Sequence, residues 1–290
     1  MAPLARPASP PGPRAWLAAL PTALGLALPE ACAGCGRWET ALCPGCAALL
    51  DAPLAEVASA PAAEELRVHA VLAYAGPGRA LILNWKNGAR EDLAPVMAAV
   101  GARAGEQWAA LSEWPGDGSG TGAPAPPRLI VVPAPSGIAR RARGRLVAAA
   151  LADAVAQGIA RAPAPPPGGA GGPVPLIVSA DILRRESGRA LRGAHQAGLS
   201  AAQRRHNRQA PPRVLADASG WDALIVDDVV TTGSTLRSCA AALRGAGARP
   251  LGALVLAATP PPARPAARLP APAGPPGEAE QRRRAAAKRL

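Results

Sequence analysis

The sequence predicts an α/β fold: an open, mainly parallel sheet with flanking helices, preceded by a small cysteine-rich module. Short apolar runs alternate with helical patterns between about residues 66 and 259, the order expected of parallel strands joined by crossover helices. Two closely spaced cysteine pairs stand ahead of this region. The chain has 290 residues, enough for one large core and a smaller module, so a disulfide-stapled miniprotein is excluded.

Residues 1–14 are predicted to be a Pro-rich unstructured segment, and 15–29 a short apolar helix whose apolar stretch covers 15–28. Basic residues before that apolar stretch resemble the start of a signal peptide, which is the alternative interpretation. Pro21 and Pro29 interrupt the stretch, and a cysteine cluster suited to a reducing compartment follows it. We therefore expect a cytoplasmic protein.

Apolar runs bounded by turn residues predict five strands, at 68–74, 129–132, 176–178, 223–226 and 251–257. Their interiors are continuously apolar, as expected for strands buried on both faces of a parallel sheet. Helical patterns are found at 90–104, 144–159 and 234–246. Because ligands of such sheets bind at the carboxyl ends of the strands, functional residues are expected there.

Composition divides the chain into blocks. We expect a cysteine module at 30–50, one α/β domain at 64–259 and a disordered basic tail at 260–290. Gly and Pro-rich stretches near 114–127 and 162–175 cannot continue a helix or a central strand, so they are predicted to be loop insertions.

The formal net charge is +12, and almost all of the basic residues are arginine, since lysine occurs only at Lys86 and Lys288. The excess is concentrated at 140–145, 184–213 and 261–290. Such patches suit phosphate-bearing ligands, and a solvated basic surface is the alternative. No run approaches the roughly 18 apolar residues of a membrane-spanning helix, so no membrane insertion is expected.

Four cysteines predict a structural zinc site. They form two CxxC turns separated by seven residues, and glycines in the turns allow backbone N–H groups to approach the sulfurs. Four thiolates complete a closed tetrahedral site, and metal binding supplies the folding energy of so small a module. Disulfides in a secreted protein, or a redox pair, are the alternatives. The ligands are Cys32, Cys35, Cys43 and Cys46.

Residues 224–235 carry the candidate chemistry. A buried strand ends in Asp227 and Asp228, and a short hydroxyl-rich loop then leads into a helix. Backbone amides of residues 231–235 at that helix N-terminus can surround a phosphate. Two carboxylates beside a phosphate suit the vicinal hydroxyls of a ribose or a cation, so together these features describe a ribose 5-phosphate site.

This segment resembles the signature of the type I phosphoribosyltransferases, which bind 5-phosphoribosyl 1-diphosphate (PRPP) with Mg²⁺. The resemblance implies that Asp227 and Asp228 hold the ribose 2′ and 3′ hydroxyls. It also implies that the loop holds the 5′-phosphate; its residues are Thr231, Thr232, Gly233, Ser234 and Thr235.

Other segments, taken in order, resemble the ComF family of competence-associated proteins. They are the four cysteines and the stretches 84–88, 131–135, 140–144, 196–200 and 204–207. The resemblance covers roughly 26–258. It departs from the family at Arg145, Leu146 and Val147, where the family typically has Phe-Asn-Gln.

In that fold the turn after the strand ending at Val132 faces the diphosphate. The resemblance therefore implies diphosphate contacts from Pro133 and Ala134, and phosphate charge suggests contacts from Lys86 and nearby arginines. Solvated surface is the alternative for the arginines, of which Arg140 and Arg143 are the candidates.

Two functions remain open from the sequence. The first is a Mg²⁺-dependent enzyme that transfers a phosphoribosyl group to a nitrogen acceptor with loss of diphosphate. The second is a non-catalytic accessory protein of DNA uptake that binds nucleotide, single-stranded DNA or uptake proteins through the basic segment and the zinc ribbon. The fold alone does not choose between them, and no catalytic side chain is identified.

Overall fold

A computed structural model of the chain describes residues 30–58, 60, 65–88, 90–112, 114, 126–135, 147–162, 174–185 and 211–261. The predicted N-terminal helix, most of both loop insertions, the core of the basic segment and the tail lie outside the described residues. The predicted domain boundaries stay a prediction. Within the described part, no helix has both the length and the apolar character needed to cross a membrane.

The main sheet has six strands in the order β1-β2-β8-β7-β3-β4. Its four inner pairings are parallel, and only β1 runs antiparallel to its neighbour β2. The strands are β1 (Ala55–Glu56), β2 (Val68–Ala73), β3 (Arg128–Pro133), β4 (Leu176–Ser179), β7 (Asp222–Val230) and β8 (Arg249–Ala258). Two short strands, β5 (Leu183–Arg184) and β6 (Arg213–Val214), form a separate antiparallel pair.

Five helices accompany the strands in the described residues: α1 (Pro44–Leu50), α2 (Gly76–Lys86), α3 (Leu93–Leu111), α4 (Val147–Arg161) and α5 (Ser234–Gly245). The predicted mainly parallel α/β fold is confirmed, and all five predicted strands are present. Helix α2 was not predicted, because Gly76, Pro77 and Gly78 at its start read as a turn. A Cβ on Gly78 would lie 2.8 Å from the Ala73 carbonyl oxygen, which explains the glycine.

The helices cover the two faces of the sheet unequally. The connections from β2 to β3 and from β3 to β4 move in one direction along the sheet, and the connection from β7 to β8 moves back. Right-handed crossovers therefore place α2, α3 and α4 on one face and α5 on the other. The two apolar cores agree with this division, since the buried cysteines share a core with α2, α3 and α4.

Helices α3 and α4 pack with their backbones in contact. Three glycines make this possible: Gly101 and Gly105 on α3, and Gly158 on α4. A Cβ on Gly158 would overlap the carbonyl oxygen of Ala102, and one on Gly105 would overlap that of Val155. The close contact fixes the position of α4, whose N-terminus follows the carboxyl end of β3.

We expect Gly158→Ala to lower the free energy of unfolding by about 1–3 kcal/mol, because backbone overlap outweighs the helix propensity that alanine adds. Urea unfolding measures the change. Gly245→Ala is the matched control, since nothing lies within 4 Å of a Cβ built there. Equal stability of the two variants would contradict the packing described for α3 and α4.

Candidate phosphoribosyl site and cysteine cluster

The carboxyl end of β7 and the start of α5 form one continuous polar rim. Gly233 has φ +80°, a left-handed conformation that favours glycine, and it turns the chain from the loop into α5. The N-cap residue Gly233 has no side chain to cap α5, and among its first amides that of Ser234 makes only a long hydrogen bond, 3.4 Å to the Thr232 hydroxyl. Thr231, Thr232 and Ser234 are exposed, and the Thr232 hydroxyl lies 3.2 Å from that of Ser234. Free amides and hydroxyls are thus gathered at the N-terminus of a 12-residue helix.

Asp227 and Asp228 lie within β7, and Val229 and Val230 separate them from this loop. The Asp228 amide donates a hydrogen bond to Asp227 Oδ1 at 2.8 Å. Asp228 is 5 % exposed, and its carboxylate forms an ion pair with the Lys86 ammonium at the end of α2. A buried carboxylate needs such a partner, because desolvation disfavours an isolated charge. The last turn of α2 therefore belongs to the site.

Burial raises the pKa of Asp227 to about 8, and the negative charge of Asp228 acts in the same direction. The Lys86 ammonium opposes this shift but does not cancel it. At neutral pH Asp227 is therefore largely the neutral acid, and the carboxylate of Asp228 is paired with Lys86.

The start of the predicted diphosphate loop lies beside the acidic pair. Pro133 is in register with Val226, and the Ala134 amide donates to the Val226 carbonyl oxygen at 2.7 Å. Arg185, which the sequence did not single out, donates from Nε to the Pro135 carbonyl oxygen at 3.2 Å. The sequence could not point to Arg185, because it is one of many arginines in its segment, and only this hydrogen bond distinguishes it. Arg140 and Arg143 lie outside the described residues.

Lys86 was predicted to contact a diphosphate. The structure places its ammonium on Asp228 instead, within the acidic pair that was predicted to hold the ribose. The two roles are compatible, since the lysine ammonium has three N–H donors and can bind a carboxylate and a phosphate together. The observed partner shows that Lys86 offsets the negative charge of the Asp228 carboxylate.

The four cysteines converge on one point. Their sulfurs all lie within 4.8 Å of one another, and Cys35 Sγ is 3.6 Å from Cys43 Sγ. The Cys43 amide points at Cys32 Sγ at 3.4 Å. Cys35 is exposed, and the other three are buried. Four sulfurs at this spacing, with a backbone N–H directed at one of them, can bind a zinc ion.

The thiol pKa values differ within the cluster. Burial raises the pKa of Cys32, but the N–H groups of Cys43, Cys35 and Gly34 outweigh burial and bring it to about 6. Burial and the neighbouring thiols raise the pKa of Cys46 to about 12. The Cys32 thiolate therefore forms readily, whereas the Cys46 thiolate does not form without a compensating cation. A bound metal supplies that positive charge.

The cysteine module, residues 30–50, is fastened to the helices by polar contacts that the sequence did not predict. The Arg90 guanidinium donates to the carbonyl oxygens of Ala31 at 2.6 Å and Ala41 at 3.2 Å. Asn84 Nδ2 donates to the Ala33 carbonyl oxygen at 2.7 Å. The sequence showed both residues within or next to the 84–88 stretch but gave no sign of their partners.

A cavity of about 660 Å³ opens between the end of α2 and the N-termini of α3 and α4. Its lining includes the apolar side chains of Trp85, Met97 and Leu151. The carboxylates of Glu91 and Asp153 also line it. Because α3 leads into β3 and α4 leaves it, both N-termini lie at the carboxyl edge of the sheet. The cavity therefore adjoins the same edge as the acidic pair, and its volume is typical of small-molecule sites.

We expect Asp227→Asn to stabilise the protein progressively as pH rises from about 4 to about 8. Between those values the folded protein keeps a proton on Asp227 that the unfolded chain has lost, so rising pH destabilises the wild-type fold. The limiting slope is about 1.4 kcal/mol per pH unit. Urea unfolding at several pH values compares variant with wild type, and a difference independent of pH would contradict the raised pKa.

We expect Cys35→Ser to lose bound zinc and to unfold at a lower temperature, because serine cannot complete the thiolate set. Metal analysis and a thermal melt measure the two effects. Cys239→Ser is the control for loss of a thiol, since Cys239 is buried in α5 away from the cluster. Unchanged zinc content in Cys35→Ser would contradict the assignment.

Comparison with known proteins agrees with the geometry. Residues 141–271 match the family model described as phosphoribosyl transferase domain. The match spans the acidic pair and the hydroxyl-rich loop, whereas Lys86 and the four cysteines precede it. No curated protein matches the chain. The protein thus carries a phosphoribosyltransferase-like domain, with a cysteine cluster at residues 32–46 that can hold zinc.

Proposed function

We propose that the protein binds PRPP, or a closely related ribose 5-phosphate, together with Mg²⁺, and transfers the phosphoribosyl group to a nitrogen acceptor. One observation carries the proposal. The acidic pair, the start of α5 and the start of the loop after β3 meet at one edge of the sheet, and the first two lie within the residues that match the phosphoribosyl transferase domain.

The 5′-phosphate would bind at the start of α5. Gly233 provides no side-chain cap there, the Ser234 amide makes only a long hydrogen bond to the Thr232 hydroxyl, and the helix dipole favours an anion at that position. The hydroxyls of Thr231, Thr232, Ser234 and Thr235 add donors around the same point. Gly233 is buried with a left-handed backbone, so the chain can wrap closely around the phosphate.

The ribose would lie over the acidic pair, with its 2′ and 3′ hydroxyls donating to Asp227 and Asp228. Hydroxyl donors favour the ionised carboxylate, so binding lowers the pKa of Asp227 and releases a proton near neutral pH. The diphosphate would extend toward Pro133 and Ala134, with Arg140, Arg143 and Lys86 as cationic partners. Mg²⁺ would arrive with PRPP and neutralise part of its diphosphate charge.

Transfer breaks the bond from ribose C1 to the diphosphate oxygen and forms a bond from C1 to the acceptor nitrogen, which gives up a proton. Diphosphate leaves with the electron pair of the broken bond. No protein nucleophile is needed, and the protein acts by positioning and by charge. The cavity beside α2 has room for the acceptor. Its apolar surface suits a ring, and its two carboxylates can accept hydrogen bonds from N–H groups of the acceptor.

The joint presence of the cysteine cluster, the 84–88 stretch and this domain also supports membership of the ComF family and, with it, a role in competence. The alternative function is a non-catalytic accessory protein of DNA uptake that uses the fold to bind nucleotide or single-stranded DNA. The described residues favour the ligand site, since the acidic pair, the start of α5 and the start of the loop after β3 together suit a single sugar phosphate.

Calorimetric titration of the zinc-loaded protein with PRPP and MgCl₂ tests the proposal. We expect binding in wild type and its loss in Asp227→Asn/Asp228→Asn, because that variant lacks both ribose acceptors. Repeating the titration in buffers of different ionisation enthalpy should reveal proton release. Asp222→Asn is the matched control, as Asp222 lies at the other end of β7 and binds Arg249 and Trp114.

Equal binding by the double variant would show that the acidic pair is not part of the binding site. No binding by wild type would contradict the proposal and favour the accessory function, and single-stranded DNA would then be the next ligand titrated. Where PRPP binds, incubation with candidate amines followed by mass spectrometry identifies an acceptor through its added phosphoribosyl mass.

A further inference from the structure

We propose that Asn84 and Arg90 are positioning residues that join the cysteine module to the phosphoribosyl site, so that zinc binding and ligand binding reinforce each other. The connection runs through Lys86 and Asp228. The identity of the ligand rests on the proposed function, whereas the link between module and acidic pair rests on contacts seen without any ligand.

The first step is the attachment to the module. Asn84 and Arg90 bind the carbonyl oxygens of Ala31, Ala33 and Ala41. Two of these flank Cys32 in the chain, and Ala41 stands two residues before Cys43. The Ala33 amide in turn donates to the Ala41 carbonyl oxygen at 3.0 Å, which ties the two cysteine turns together. These hydrogen bonds therefore hold the backbone that carries the metal-binding cysteines.

The second step is the turn between the two attachment points. The Arg90 amide donates to the Asn84 carbonyl oxygen at 3.3 Å, and the Gly88 amide donates to that of Trp85 at 3.1 Å. Gly88 has φ +69°, which lets the chain reverse at the end of α2. Lys86 lies inside this closed turn. Its backbone is thus fixed by the same residues that hold the module.

The third step is the ion pair. The Lys86 side chain is 21 % exposed and the Asp228 side chain 7 %. A lysine loses much rotamer freedom when it is held in one geometry, so the pair forms readily only if the end of α2 is already in place. The module contributes to that placement, since Asn84 on α2 binds its backbone and Leu81 packs close to Gly34.

The fourth step is the dependence on metal. The module has a single short helix, α1, and its buried residues are largely the cysteines themselves, so bound zinc supplies its folding energy. Without zinc the carbonyl oxygens that Asn84 and Arg90 bind are no longer held. Linkage requires the converse as well: whatever holds Lys86 and Asp228 in place must tighten zinc binding. Among variants of one site, tighter binding is expressed mostly as slower release.

The test that needs no ligand is the rate of zinc release to a chromophoric chelator. We expect Lys86→Met and Asp228→Asn to release zinc about fivefold faster than wild type or more. Lys86→Arg keeps the charge and should restore a rate near that of wild type. Asp222→Asn also breaks an ion pair on β7, at the end remote from α2, so it controls for general loss of stability.

The second arm measures ligand binding in Asn84→Ala and Arg90→Gln at confirmed full zinc occupancy. Both should bind PRPP with Mg²⁺ about fivefold more weakly or worse, and PRPP should slow zinc release in wild type but not in Arg90→Gln. Undiminished affinity in both variants would overturn the positioning role.

Equal zinc release in all variants, or release from Asp222→Asn as fast as from Asp228→Asn, would overturn the coupling. If wild type does not bind PRPP while the predicted order of release rates holds, the proposed function fails and the coupling stands. The two conclusions can therefore fail separately.

Discussion

The ion pair between Lys86 and Asp228 is the interaction on which the arrangement of the site depends. A carboxylate as buried as that of Asp228 needs a partner of opposite charge, because desolvation disfavours an isolated ion. Lys86 reaches it from the end of α2, so the ion pair fixes how that helix sits on the sheet. Helix α2 also contacts the cysteine module through Asn84. The ion pair therefore connects the acidic pair on β7 with the helix that holds the module.

The strands could be predicted because their evidence is local. Each is a continuously apolar run between turn residues, and burial on both faces of a parallel sheet requires that pattern. The segment at 227–235 was also recognisable, since acidic pair, hydroxyl-rich loop and helix follow one another in the chain. Helix α2 escaped prediction because its first three residues read as a turn, and only the close approach of Gly78 to Ala73 explains them.

The contacts between distant segments could not be predicted. Nothing near Arg90 in the chain shows that its guanidinium spans to Ala31 and Ala41, because that choice is made by tertiary packing. The same holds for Lys86, whose rarity suggested a functional role but whose partner lies more than a hundred residues away. Arg185 is the extreme case, since an arginine among many arginines carries no sequence signal, and its role appears only in its hydrogen bond to Pro135.

The charge of the free site explains why these contacts matter together. Two ionised carboxylates side by side at a half-buried edge would repel each other and any approaching phosphate. A protonated Asp227 and a paired Asp228 leave the pair close to neutral when Lys86 is counted, so an anionic ligand can approach. The ligand proposed above would add hydroxyl donors to the carboxylates and phosphate oxygens beside the ammonium, without requiring the Lys86–Asp228 pair to separate. The site thus holds its charges in internal pairs, and the position of α2 sets the geometry in which the Lys86–Asp228 pair forms.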